Sequence, residues 1–248
     1  MKNINLDEIK NYVRDHISEF HKARLDSLES LILVEELKHK NFDFYKSIDL
    51  LTSGMIVRRC IEAHIYSNEE KIFGNWLKGV AIFINREVFG GWKSGIPGVD
   101  LEFDDDDVRY IVNIKSGPNW ANSSQIEKLK QDFNTARKTL RTSNSKLNVI
   151  AVNGCCYGRD NNPDKGEYLK FCGQHFWSFI SGDDNLYIEI IEPLGFKAKQ
   201  KNEDYANIYA SLINRFTKEF SDAFCKPIGE IDWEKLVQYN SAKEVIKL

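Results

Sequence analysis

The sequence predicts an α/β domain with a helical addition at its N-terminal end. Three observations carry this. Apolar residues recur at helical spacing through about the first ninety positions, a hairpin-like stretch occupies residues 96–115, and a helix followed by a short β-branched strand comes after it. Leu6, Ile9, Val13, Ile17 and Phe20 fall at three- and four-residue steps, as do Leu25, Leu28, Leu31 and Ile32. A further helix is expected at about residues 47–66. Ser67 and Glu70 have the spacing of a capping box, and behind them Phe73, Trp76, Leu77, Val80, Ala81, Ile84 and Val88 make an amphipathic stripe. Gly90, Gly91, Gly95, Pro97 and Gly98 then punctuate a loop.

Beyond the hairpin, Gly117, Pro118 and Asn119 break the chain, and Asn122, Ser123 and Ser124 offer N-caps for a helix with Ile126, Leu129, Phe133, Ala136 and Leu140 inward. Residues 147–152 and 186–191 are expected as strands and 203–224 as a long helix, with a less regular tail from Pro227. The 248 residues, 42% hydrophobic and 29% charged, suffice for one large core. The expected division is a helical region at 1–66 packed on a core at 67–248, together one structural unit.

The net charge of −3 gives no overall basic surface, so a nucleic-acid partner would have to be met by a local cleft. Five cysteines (Cys60, Cys155, Cys156, Cys172 and Cys225) without a C-x-x-C pair suit a reducing compartment. A cytoplasmic protein with no membrane partner is expected, since no apolar run reaches membrane-spanning length and no signal-peptide core opens the chain.

The hairpin carries the chemistry. Side chains alternate along a strand, so Asp100 and Glu102 share one face, and Ile111, Asn113 and Lys115 share one face. With the turn centred on the four aspartates at 104–107, residue 100 lies opposite residue 111 and both polar sets fall on one side. Acids, an amide and a lysine projecting from apolar strands build a poor core. They suit a divalent cation beside a phosphodiester: carboxylates bind the hard ion, and the lysine steadies developing charge and orients water. A solvated face with a charged turn is the plainer alternative.

The order of helix, hairpin, helix and strand, with these residues, resembles the PD-(D/E)xK nuclease superfamily. Gly98-Val99-Asp100 resembles its first motif, and Asn113-Ile114-Lys115 stands in the place of (D/E)-x-K. The run Ile114-Lys115-Ser116-Gly117-Pro118-Asn119-Trp120-Ala121-Asn122-Ser123-Ser124-Gln125 is similar to type II restriction endonucleases, in particular the PmeII-type branch. So are Asn153-Gly154-Cys155-Cys156-Tyr157-Gly158 and Gly173-Gln174-His175-Phe176-Trp177. The resemblance covers about residues 67–178. It implies a restriction-endonuclease-like core, a mixed central sheet flanked by helices. It further implies Mg²⁺-dependent hydrolysis at a short site in double-stranded DNA, and a homodimer if that site is palindromic.

The resemblance also implies roles. Asp100 would be the central metal ligand, the Ile114 carbonyl a second, and Lys115 the residue that positions water. Asn113 departs from the pattern, because an amide binds a cation far more weakly than a carboxylate. Either cleavage is lost and a DNA-binding protein remains, or another acid serves. Some enzymes of this fold carry the acid on the following helix, about a dozen residues past the lysine. Glu127 lies there, Glu102 shares the face of Asp100, and Glu70 sits on the preceding helix. Each competes with a plainer role, since Ser124 and Glu127, like Ser67 and Glu70, have capping-box spacing. A repair or junction nuclease of the same fold is a third reading.

Ser116, Asn119, Trp120, Asn122, Ser123, Ser124 and Gln125 are expected to face DNA, where amides read base edges and a helix N-terminus holds phosphate. Lys128, Lys130, Arg137, Lys138, Arg141 and Lys146 make the following helix locally basic. Cys172 and His175 with Cys155 and Cys156 lack paired zinc spacing and are expected to pack in the core. Residues 104–107 lack the pattern of a calcium loop. His16, His21, His39 and His64 have no partner that the sequence identifies.

Overall fold

A five-stranded sheet ordered β1-β2-β3-β4-β5 organises the computed structural model, which describes residues 2, 4–143 and 145–243. In chain order the elements are α1 (Leu6–Glu29), α2 (Leu33–Leu37), α3 (Phe42–Ser47), α4 (Ser53–Phe89), β1 (Trp92–Lys93), β2 (Leu101–Asp105) and β3 (Val108–Lys115). Then follow α5 (Ser123–Ser143), β4 (Asn148–Cys155), β5 (Leu169–Cys172), α6 (Gln174–Ser181), α7 (Leu186–Glu189), α8 (Ile191–Leu194), α9 (Ala198–Phe224) and α10 (Trp233–Ser241). The pairs β1–β2 and β2–β3 are antiparallel, while β3–β4 and β4–β5 are parallel, so the sheet is mixed and α5 is the crossover between β3 and β4. This is the expected α/β architecture with an N-terminal helical region.

The chain divides into two compact units: residues 1–20 with 71–196, and residues 21–70 with 197–248. This differs from the division at 66/67. The start of α1 goes with the sheet, because Ile9 and Val13 are buried among Leu77, Val80 and Ala81. The C-terminal helices belong to the other unit, where Phe216, Phe220 and Phe224 of α9 are buried with Leu28, Leu37, Val57 and Ile61.

In the sheet unit, Leu101, Phe103, Val112, Ile114 and Val152 pack against α4 and α6 through Val80, Ile84, Phe176 and Ile180. The opposite side packs Ile111, Val149 and Ala151 against Leu129, Phe133 and Ala136 of α5. Each face draws on alternate residues of a strand, as the pleat requires.

Four local expectations are corrected. Residues 186–191 form the helical turns of α7 and α8 rather than a strand. Leu186, Ile190 and Pro193 are buried at helical spacing while Ile188 and Ile191 are exposed, so burial overrides the β-favouring composition. The helices expected on either side of Ser67 are one continuous α4, so Ser67 and Glu70 cap nothing. The N-cap of α5 is Asn122: its Oδ1 accepts from the Gln125 N–H and the Gln125 Oε1 accepts from the Asn122 N–H, both at 3.0 Å, in place of the Ser124–Glu127 pair. The hairpin turn lies at Asp106 and Asp107, with Asp106 at φ 49°, one residue later than its expected centre. Leu101 therefore pairs with Val112 and residue 100 lies level with residue 113. The shift is two positions, so every side chain keeps its face. Strand β5 was not foreseen.

Candidate active site

The register of β2 and β3 puts Glu102, Ile111, Asn113 and Lys115 on the α5 side of the sheet, with Asp100 in phase at the entrance to β2. On β4, Asn153 pairs with Asn113 and so joins them. The loop after β3 is drawn over this group. Trp120 Nε1 donates to Asn153 Oδ1 at 3.0 Å, and Asn153 Nδ2 donates to the Asn113 carbonyl at 3.3 Å. The Lys115 ammonium lies 4.5 Å from the centre of the Trp120 ring, within cation–π range.

Asp100 is fixed by three bonds. Its N–H donates to the Val112 carbonyl at 2.8 Å, its Oδ2 accepts from the Ile114 N–H at 2.7 Å, and its Oδ1 accepts from Lys78 Nζ on α4 at 2.8 Å. Lys115 is half-buried. That desolvation lowers its pKa below the usual 10.5, the Lys78 charge acts in the same direction, and the charges of Asp100 and Asp132 oppose them.

A cavity of about 580 Å³ opens between the sheet and α5. Gly98, Asn113 and Lys115 form its sheet wall, Trp120 its roof, and Ser124, Gln125, Lys128, Leu129 and Asp132 its helix wall. Asn113 is 7% exposed; its Nδ2 donates to the Gly98 carbonyl at 3.0 Å, and its Oδ1 has no partner. Gly98, at φ +82°, lies so close to Asp132 that a Cβ there would stand 2.5 Å from the Asp132 Cβ.

The expected site residues are thus partly assembled. Asn113, Lys115, Trp120, Ser124 and Gln125 share the cavity, and Asp100 stands beside it under Lys78. Ser116, Asn119, Asn122 and Ser123 lie on the neighbouring loop and helix start; all but Ser116 are exposed. The three glutamates are engaged elsewhere or exposed. Glu102 is buried, accepts from Ser94 Oγ at 2.7 Å and lies 3.6 Å from Arg109. Glu127 is 63% exposed and pairs with Lys130 at 3.0 Å. Glu70 is exposed on α4 in the other compact unit. The buried Cys155, Cys156 and Cys172 are free thiols, and burial pushes that of Cys156 up to about 12. Among the described residues no three His, Cys, Asp or Glu side chains are grouped as for a metal, and no helix is long and apolar enough to cross a membrane.

Sequence reasoning missed Lys78, Asn153 and Asp132. For Asp132 a signal existed. At about 100° per residue, Asp132 lies roughly 80° from the centre of the apolar stripe of α5, whereas Glu127 lies roughly 140° away on its other flank.

The profile of the family described as type II restriction endonuclease EcoO109I matches residues 7–202. The chain belongs to this family. The match names EcoO109I and leaves the PmeII-type branch of the motif run unconfirmed, and it reaches well beyond residues 67–178 at both ends. A search of curated proteins finds no match. Family membership agrees with the mixed sheet and its flanking helices. Restriction endonucleases of this kind bind DNA and generally use divalent metal ions.

Proposed function

We propose that the protein hydrolyses phosphodiester bonds at a short specific site in double-stranded DNA, with Mg²⁺ as cofactor and as a two-fold homodimer when the site is palindromic. The observation that carries this is the group at the cavity. Asp100 is held by a backbone N–H, Lys115 is half-buried, and Asn113, which lines the cavity, keeps a buried Oδ1 without a partner. A buried, unsatisfied oxygen is costly unless something binds it, and a hard cation is the ligand that oxygen donors favour.

The donor set therefore fits a dication, with Asp100, the Ile114 carbonyl and Asn113 Oδ1 as holders. Such an ion supplies Lewis-acid stabilisation of phosphoryl charge and a more acidic bound water. Lys115 does the rest from this chain: its ammonium stands near the phosphate, orients water and stabilises charge as the P–O bond breaks. Asn119, Asn122, Ser123, Ser124 and Gln125 present amides and hydroxyls to base edges, and Ser116 lies beside them. The five free cysteines support a cytoplasmic setting.

Incubating unmethylated phage DNA with the protein and Mg²⁺ tests the reading. Discrete fragments are expected. Asn113 in the place of an acid favours a second reading, a DNA-binding protein without cleavage, for which intact but retarded DNA is the outcome. Cutting confined to branched DNA would instead mark a repair or junction nuclease.

A further inference from the structure

We infer that Asp132 on α5, together with the Oδ1 of Asn113, completes the divalent-cation site of Asp100, an assignment that rests on the nuclease reading above. A single carboxylate with neutral donors binds Mg²⁺ weakly, so an active site of this kind needs a second one. Glu102 is tied to Ser94 and Arg109, Glu127 lies on the exposed flank of α5 against Lys130, and Glu70 is exposed and does not line the cavity. Asp132, although paired with Lys128, lies on the cavity side of α5 rather than on its exposed flank. Its side chain is 20% exposed and lines the cavity across from Asn113 and Lys115.

The backbone makes room for it. Gly98 adopts a left-handed conformation against Asp132, and any side chain there would collide with the carboxylate. The same glycine accepts the Asn113 amide through its carbonyl, and two residues later the chain presents Asp100. Gly98 thus brings Asp132, Asn113 and Asp100 around one point of backbone. The unpartnered Asn113 oxygen, more than nine-tenths buried, is an independent sign that this space takes a ligand. The Asp132 carboxylate is held by Lys128 at 2.5 Å, a lysine 70% exposed that can move aside.

Mn²⁺ binding to the purified full chain, followed by water-proton relaxation, tests the assignment without relying on cleavage. Asp132→Asn is expected to lower Mn²⁺ affinity by at least about ten-fold, the smallest loss seen even for residues that merely support a ligand. Asp132→Glu should retain most of it. Lys128→Ala, a change on an exposed helix surface, should raise the affinity by freeing the carboxylate. Wild-type Mn²⁺ affinity in both Asp132→Asn and Lys128→Ala overturns the inference. If Asp132→Asn binds Mn²⁺ and cuts DNA normally while Asp100→Ala does neither, the nuclease reading stands and this inference alone falls. If Asp100→Ala also cuts, the metal site at Asp100 falls and this inference with it, whereas wild-type protein that binds DNA without cutting it removes the nuclease reading itself.

Discussion

The two faces of the sheet use the same strands for opposite ends. Toward α4 and α6, Leu101, Phe103, Val112, Ile114 and Val152 are at most 1% exposed and apolar throughout. Toward α5, the intervening positions carry Glu102, Asn113, Lys115 and Asn153, with a cavity left open and one buried oxygen unsatisfied. The first face is what burial alone would select. The second gives up close packing around the cavity and leaves one buried polar oxygen unsatisfied, which costs about 1–3 kcal/mol. Alternation along a strand lets one hairpin serve as core and as chemistry, with neither role intruding on the other.

Substitutions on the two faces should therefore separate stability from activity. Asp100→Ala should abolish Mg²⁺-dependent cleavage while the far-UV circular dichroism spectrum and melting temperature stay close to wild type; substantial cleavage by the purified variant would break the division. Lys115→Ala should also abolish cleavage but leave much of the DNA affinity, since it is one of several charges in a salt-dependent binding term. Gel-shift titration decides that point, and loss of binding together with cleavage would make Lys115 chiefly an affinity residue. On the other face, Phe103→Ala should destabilise by about 3–5 kcal/mol in denaturant titration. Under conditions where that variant remains folded, its cleavage should persist.

The lowered pKa of Lys115 sharpens the contrast through pH. The folded state favours the neutral amine, so its charging costs stability below the folded pKa, and that cost is relieved as pH rises from the lowered value toward 10.5. Cleavage that needs the ammonium runs the other way. Its rate should fall through the same window, and a rate–pH profile whose alkaline limb lies at or above 10.5 would contradict the role given to burial. The smallest effect is expected of Glu127→Gln, which loses only an exposed pair with Lys130 and should leave both cleavage rate and melting temperature unchanged.

Much of this was legible because strand parity is robust. The hairpin turn sits one residue later than composition suggested, yet Asp100, Asn113 and Lys115 still share a face, since a two-residue register shift preserves it. Helix α5 was legible from its apolar stripe, and its start from the short polar residues at 122–124. The place of Asp132 at the cavity was not read, because counting residues beyond Lys115 points to Glu127, whereas angular position around the helix points to Asp132. Lys78 was out of reach: it meets Asp100 across 22 positions through α4, and no local pattern marks such a contact. Residues 186–191 were misread because Leu186, Tyr187, Ile188 and Ile190 favour strands until tertiary burial chooses the helical phase.

The ion pair between Lys78 and Asp100 also decides what a chelator can do to this protein. The carboxylate is neutralised from within by an ammonium at 2.8 Å, so the strands around it need no dication to relieve unbalanced charge. In the proposed site, loading would exchange one cation for another, and unloading would return Asp100 to Lys78. Treatment with EDTA should silence the protein without denaturing it, and added Mg²⁺ should restore it at once, with no refolding in between.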